Sequence, residues 1–173
     1  MDSFNHETAL QLHDRLRKHR QQIVFAESCT AGLISASLGR LPGISELLAG
    51  SAVVYQIETK AEWLGVDRKA LVDPGPVSQI VSEQMARGVL QKTPQATIAA
   101  SVTGHLGPNA PQGQDGIVWT SIAMLVAGEV VVSSQQLKLD DGIAGEDSTV
   151  LRQNRQILAV QRVLQFCLDQ LQK

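Results

Sequence analysis

The sequence is poor in aromatic side chains, which make up 3% of its 173 residues. Proteins that hold single-stranded nucleic acid stack bases on such rings, so we expect no base-stacking platform. The formal net charge is −2, and no single face collects the Lys and Arg residues. Because nucleic-acid binding depends on a basic surface, these two features predict no nucleic-acid partner.

Long apolar runs and paired cysteines are also missing. No segment has the apolar length needed to cross a membrane, and the first 22 residues lack the apolar stretch of a signal peptide. The two cysteines, Cys29 and Cys167, do not indicate a disulfide framework. None of the four histidines forms a zinc-like pattern with a cysteine. We therefore expect a soluble, cytoplasmic chain with no metal, no cofactor and no membrane partner.

The residues that are present indicate a globular α/β protein. Apolar residues make up 43% and charged residues 18% of the sequence, which suits one domain over residues 1–173. Helical patterns are predicted for residues 5–20, 30–41, 58–64, 78–91 and 150–171, and strands for 21–26, 51–55, 96–102, 117–126 and 129–139. Helices alternate with strands and a hairpin follows, which predicts a three-layer α/β/α sandwich with a mixed central sheet.

Three polar loops follow predicted strands. These are AESCTAG after the first strand, YQIETK after the second and VTGHLGP after the third. Sites in open α/β sheets gather at the carboxyl ends of the strands, so we expect these loops to share one site.

The first two loops contain a candidate nucleophile and a candidate base. Ser28 lies at a strand-to-helix turn, where helix-start N–H groups could hold an oxyanion, but serine is also a preferred helix N-cap. Lys60 could activate Ser28 if its pKa were lowered by burial, and Tyr55 could relay the proton or position the lysine. The simpler alternatives are a solvated lysine and a surface tyrosine. Cys29 is better interpreted as a small buried thiol.

The third loop contains hydrogen-bonding groups that suit a carbonyl or a phosphate. Thr103 offers a hydroxyl, and Gly104 and Gly107 offer backbone amides that a ligand can approach closely. His105 is a candidate acid or base, although a loop histidine is more often solvated. A turn-rich loop without a ligand is the alternative.

The order of short motifs AESCTAG, PGIS, AGSAVVYQIETKAEWLGV, GPVSQIVSEQMA, VTGHLGP and DGIVW resembles the CinA C-terminal domain family in its stand-alone form. The members of that family include nicotinamide mononucleotide deamidases. The resemblance implies a metal-independent amidohydrolase with a nucleotide substrate, and a homo-oligomer with a dimer favoured. The family's serine, tyrosine, lysine and threonine fall on Ser28, Tyr55, Lys60 and Thr103. Thr30 and the helix start would contact the substrate, including its phosphate.

The sequence also departs from the family pattern. Ile57 replaces an asparagine, and the arginine of the family's GDR element falls at Asp147 or Ser148. A carboxylate at that place would repel a phosphate, whereas Asp147 alternatively caps the last helix. Arg152 and Arg155 are other sources of positive charge, although their spacing gives little support. Two functions stay open: an active amidase, or a relative that binds a nucleotide-like ligand without the family reaction.

Overall fold

A computed structural model describes residues 3–139 and 147–172. Six helices and five strands are found in this part of the chain, together with a short 3-10 turn at Ile44–Glu46. The elements in chain order are α1 (Ser3–His19), β1 (Ile23–Glu27), α2 (Leu33–Leu38), β2 (Leu48–Val53), α3 (Ile57–Leu64), α4 (Arg68–Val72), α5 (Gln79–Gln91), β3 (Ile98–Gly104), β4 (Ile117–Val126), β5 (Glu129–Lys138) and α6 (Ser148–Gln170).

The five strands form one mixed sheet in the order β2-β1-β3-β4-β5. β1 pairs in parallel with β2 and β3, whereas β3, β4 and β5 pair in antiparallel fashion. The β4–β5 hairpin turns at Ala127 and Gly128, whose φ angles are 50° and 89°. Two residues with positive φ are typical of the tight turn that suits the twist of a hairpin.

Helices cover both faces of the sheet, because the side chains of each strand alternate between two cores. Phe25 packs with α1, α2 and α6, whereas its neighbours Val24 and Ala26 pack with α3, α4 and α5. All five residues of β1 are buried, as expected of a strand covered on both faces. The predicted three-layer sandwich with a mixed sheet is confirmed. The assignment of residues 1–173 to a single domain stays a prediction.

The predicted helix over residues 30–41 is too long. α2 begins only at Leu33, because Ala31 and Gly32 have left-handed φ angles of 52° and 93° and form a turn. Strand β2 starts earlier than predicted, at Leu48. The loop predicted for residues 140–147 lies outside the described residues except for Asp147, which caps α6 as expected by accepting from Thr149 N at 2.7 Å.

The parallel strands β1, β2 and β3 end at the same edge of the sheet, at Glu27, Val53 and Gly104. The three polar loops noted in the sequence leave from this edge, so their side chains lie close together. Among the described helices, none is both long enough and apolar enough to cross a membrane. Cys29 and Cys167 are both buried free thiols.

Candidate active site

The turn after β1 is built around the buried carboxylate of Glu27. The carboxylate accepts hydrogen bonds from the N–H groups of Ile34 and Ser35 at 3.1 and 3.0 Å. Both residues lie in the first turn of α2. The hydroxyls of Thr30, Ser35 and Ser51 donate to the same carboxylate at 2.8, 2.9 and 3.0 Å. A buried carboxylate with this many donors is fully satisfied, and it fixes the turn in one conformation.

This arrangement corrects two expectations from the sequence. The N–H groups of Ile34 and Ser35 at the helix start face Glu27, so they cannot hold a substrate anion. Thr30 is fully buried, donates to Glu27, and lies outside the cavity described below. The predicted contact of Thr30 with a substrate is therefore not supported by its position.

Ser28 and Lys60 lie in direct contact. Lys60 Nζ is 2.8 Å from Ser28 Oγ, and its other protons are donated to the carbonyl oxygens of Val54 at 2.7 Å and Tyr55 at 3.4 Å. Ser28 is not a helix N-cap, because that place is taken by Gly32. Its N–H donates to Val102 O on the neighbouring strand, which anchors the serine to the sheet edge.

Lys60 lies at the inner side of α3, with only 2% of its surface exposed. Burial disfavours the charged form and lowers the pKa of Lys60 to about 8. The interpretation of this residue as a solvated helix lysine is therefore wrong. A lysine with this pKa is partly neutral near physiological pH and can accept a proton from Ser28.

Tyr55 follows β2 at the mouth of the site and is about half exposed. Its carbonyl oxygen accepts from Lys60, whereas its hydroxyl oxygen accepts from Arg152 Nη2 at 2.6 Å. The backbone of Tyr55 thus helps to orient the lysine. Its hydroxyl lies next to Arg152, where it would face a ligand rather than the Ser28–Lys60 pair.

The third loop forms the opposite wall. Thr103 is buried and donates through Oγ1 to Pro76 O at 2.8 Å. A Cβ added to Gly104 would lie 2.5 Å from a methyl group of Val118, so the close approach of β3 and β4 requires glycine there. Gly107 has a φ of 70°, in the left-handed region that favours glycine.

The three loops, Pro76 and Val77 before α5, and α6 line an open cavity of about 260 Å³. Six of the seven site residues predicted from the sequence line it, namely Ser28, Tyr55, Lys60, Thr103, Gly104 and Gly107. His105 also lines it. Among the described residues of the lining there is no Asp or Glu, whereas Lys60 and Arg152 supply positive charge. The cavity therefore favours a ligand with negative charge.

Arg152 lines the cavity, although its spacing in the sequence offered little support for a place in the site. It lies in the second turn of α6, donating from Nη1 to Gly107 O at 2.8 Å and from Nη2 to the Tyr55 hydroxyl. Arg155 does not line the cavity and pairs with Asp115 at 2.9 Å. Asp147 and Ser148 do not line the cavity, so the carboxylate that was expected to repel a phosphate is used to cap the helix. Only the fold distinguishes the two arginines.

Cys29 lines the cavity beside Ser28 but is a poor nucleophile. Burial raises the pKa of its thiol to about 12, so the thiol stays protonated at neutral pH. This agrees with its interpretation as a buried structural thiol. Its carbonyl oxygen accepts from Gln156 Nε2 at 3.0 Å, which links α6 to the Ser28 turn. Among the described residues, no group of three His, Cys, Asp or Glu side chains is arranged to hold a metal.

Fold and site together define an α/β/α protein with a serine–lysine pair at the carboxyl edge of a mixed sheet. The chain belongs to the CinA C-terminal domain family, because the family model matches residues 5–154. It is 43% identical over 110 residues to a CinA-like protein of Prochlorococcus marinus, covering 62% of this chain and 26% of the relative. A CinA-like protein of Dictyoglomus thermophilum is 40% identical over 128 residues, covering 73% and 30%.

Solved structures give the same result for the fold. The competence/damage inducible protein CihA from Agrobacterium tumefaciens superposes with a TM-score of 0.87 at 26% identity, covering 100% of this chain and 98% of that one. A CinA superfamily protein from Klebsiella pneumoniae superposes with a TM-score of 0.83 at 22% identity, covering 96% and 97%. By contrast, this chain spans less than a third of the length of the curated relatives it matches.

Proposed function

We propose that this chain is a serine–lysine amidase that converts nicotinamide mononucleotide and water to nicotinate mononucleotide and ammonia. The observation that carries the proposal is the distance of 2.8 Å between Lys60 Nζ and Ser28 Oγ inside a cavity lined by positive charge. A nucleophile and base in hydrogen-bond contact are the minimum requirement for acyl transfer. The resemblance of the motifs to deamidases of the family supports the choice of substrate.

In the first half of the reaction, neutral Lys60 removes the proton from Ser28 Oγ while that oxygen attacks the carboxamide carbon. The new C–O bond moves an electron pair onto the carbonyl oxygen. Positive charge on the buried Lys60 then stabilises the oxyanion that forms beside it. The lysine proton passes to the amide nitrogen, the C–N bond breaks and ammonia leaves.

In the second half, the nicotinoyl ester on Ser28 is hydrolysed. Lys60, neutral again, removes a proton from water, and the hydroxide adds to the ester carbon. Collapse of this intermediate breaks the C–O bond to Ser28 and returns the proton to the serine. The product is nicotinate mononucleotide. At pH 7 about one tenth of Lys60 would be neutral, given a pKa of about 8.

The second candidate function is binding of a nucleotide-like ligand without turnover. It is favoured by the resemblance to the family, which puts Asp147 or Ser148 where the GDR element has arginine. If that arginine is needed for chemistry and not only for binding, the cavity would hold the nucleotide without cleaving its amide.

Ammonia release from nicotinamide mononucleotide is the deciding measurement. We would compare the unmodified chain, Ser28→Ala, and Ser45→Ala, which removes a hydroxyl from an exposed position outside the cavity. Release that is lost in Ser28→Ala and kept in Ser45→Ala supports the amidase. If no ammonia forms while the nucleotide still binds in calorimetry, the second function replaces the first.

A further inference from the structure

Arg152 differs from Arg68 and Arg155 in the groups it contacts. Arg68 pairs with Glu58 and Glu62, and Arg155 pairs with Asp115. The two acceptors of Arg152 are a carbonyl oxygen and a phenol oxygen, both neutral. Among the described residues of the cavity lining, no Asp or Glu side chain balances its charge.

One hydrogen bond of the Arg152 guanidinium group is to the backbone, and the other is to a side chain that a ligand oxygen could replace. Nη1 donates to the backbone at Gly107 O, which keeps the group turned towards the cavity. Nη2 donates to the hydroxyl of Tyr55, a side chain that is about half exposed and can turn into solvent. An anionic oxygen would be a stronger acceptor than a phenol, because charge-assisted hydrogen bonds are about twice as strong as neutral ones.

We propose that Arg152 is the anion-recognition residue of this cavity, and that it exchanges its contact with the Tyr55 hydroxyl for a phosphate oxygen of the substrate. The substrate class is then an amide that carries a phosphate monoester. This inference rests on the proposed function for its choice of amide, but the phosphate contact itself does not require turnover. Arg152 would also supply the positive charge that is missing if Asp147 or Ser148 takes the place of the family's arginine.

The kinetic test compares a phosphorylated with an unphosphorylated amide. Nicotinamide mononucleotide and nicotinamide riboside differ only in the phosphate. For Arg152→Gln we expect KM for the mononucleotide to rise about 10- to 100-fold, with little change for the riboside. Arg152→Lys should show a smaller rise in KM, because lysine keeps a positive charge but lacks the planar fork of arginine. Arg162→Gln, a matched change at an exposed position of the same helix, should behave as the unmodified chain. An equal effect on both substrates would overturn the proposal.

A second test needs no activity, because Tyr55 is the only tyrosine of the chain. Protein labelled with 13Cζ-tyrosine gives a single signal next to the contact that is exchanged. We expect inorganic phosphate to shift this signal saturably in the unmodified chain and in Arg162→Gln, and not in Arg152→Gln. Equal shifts in all three proteins, or none in any, would overturn the proposal. A shift that depends on Arg152 in a chain that releases no ammonia would support the anion site and reject the amidase.

Discussion

Lys60 and Ser28 are 32 residues apart in sequence, yet Lys60 Nζ lies 2.8 Å from Ser28 Oγ. The parallel pairing of Glu27 with Val53 brings the two strand ends together, and α3 then returns Lys60 to the first loop. The carbonyl oxygens of Val54 and Tyr55 hold the other lysine protons. The contact is therefore fixed by the backbone of the sheet edge and not by the side chains alone.

We predict that kcat/KM for the amide rises with pH and levels off above about pH 8. As the proposed base, Lys60 would act only when neutral, and its pKa is lowered to about 8 by burial. Lys60→Met should lose at least about a hundredfold in kcat, within the range that general bases contribute. Lys69→Met, at an exposed position of α4, is the control. A profile already flat from pH 6 to pH 9 would exclude Lys60 as the base.

The same pKa predicts a pH dependence of stability. The folded pKa of about 8 lies below the ordinary value of 10.5, so between these pH values the unfolded chain binds a proton that the folded chain does not. The cost of burying a charged lysine applies below pH 8 and is relieved as the pH rises towards 10.5. The unfolding free energy of the unmodified chain minus that of Lys60→Met should therefore increase by up to about 3 kcal/mol as the pH rises through this range.

Urea denaturation at several pH values between 7.5 and 10 measures this difference. Subtracting the two proteins at each pH cancels the titration of all other groups. Lys69→Met again serves as the control, and its difference from the unmodified chain should stay constant. A constant difference for Lys60→Met as well would contradict the lowered pKa.

The sequence was sufficient for the architecture and for most of the cavity. Alternating apolar strands and amphipathic helices predict three layers, and the shared direction of β1, β2 and β3 places Ser28, Lys60 and Thr103 at one edge. Both results depend on local periodicity and on the general rule for strand ends. The homo-oligomer implied by the resemblance stays a prediction.

What the sequence did not reveal depends on long-range contacts. Arg152 and Arg155 look equivalent in the chain, and only the packing of α6 places the first against the Tyr55 hydroxyl and the second against Asp115. Thr30 and the start of α2 resemble an anion site, because nothing local indicates that the side chain of Glu27 folds back onto them. Only the three-dimensional structure shows that the Glu27 carboxylate accepts the hydrogen bonds of the first turn of α2.

Glu27→Gln should destabilise the chain by about 2–4 kcal/mol, as for a buried charged group that loses its partners. The amide has a single oxygen, so its NH2 group must face N–H or hydroxyl donors that now point at a carboxylate. The measurement is urea denaturation, with Glu129→Gln as the exposed control. Because Glu27 precedes Ser28, we also expect lower activity. A loss of stability no larger than that of the control would show that the carboxylate is dispensable.

Gly88→Ala tests the close packing of α5 against the end of α3. Alanine normally favours a helix interior by about 1 kcal/mol over glycine. Here its Cβ would lie 2.0 Å from the carbonyl oxygen of Leu64, so the two helices must separate. We expect a net loss of about 1–3 kcal/mol in the unfolding free energy.

The matched control is Gly39→Ala, at a φ of −58° that suits alanine, where the nearest atom to an added Cβ is 3.3 Å away. Urea denaturation of both variants should separate them, with the control close to the unmodified chain. A stabilising effect of Gly88→Ala would mean that helix propensity outweighs the contact and that α3 can move away from α5 at little cost. Lys60 would move with α3, so activity measured in the same variant reports whether the Ser28–Lys60 contact depends on this packing.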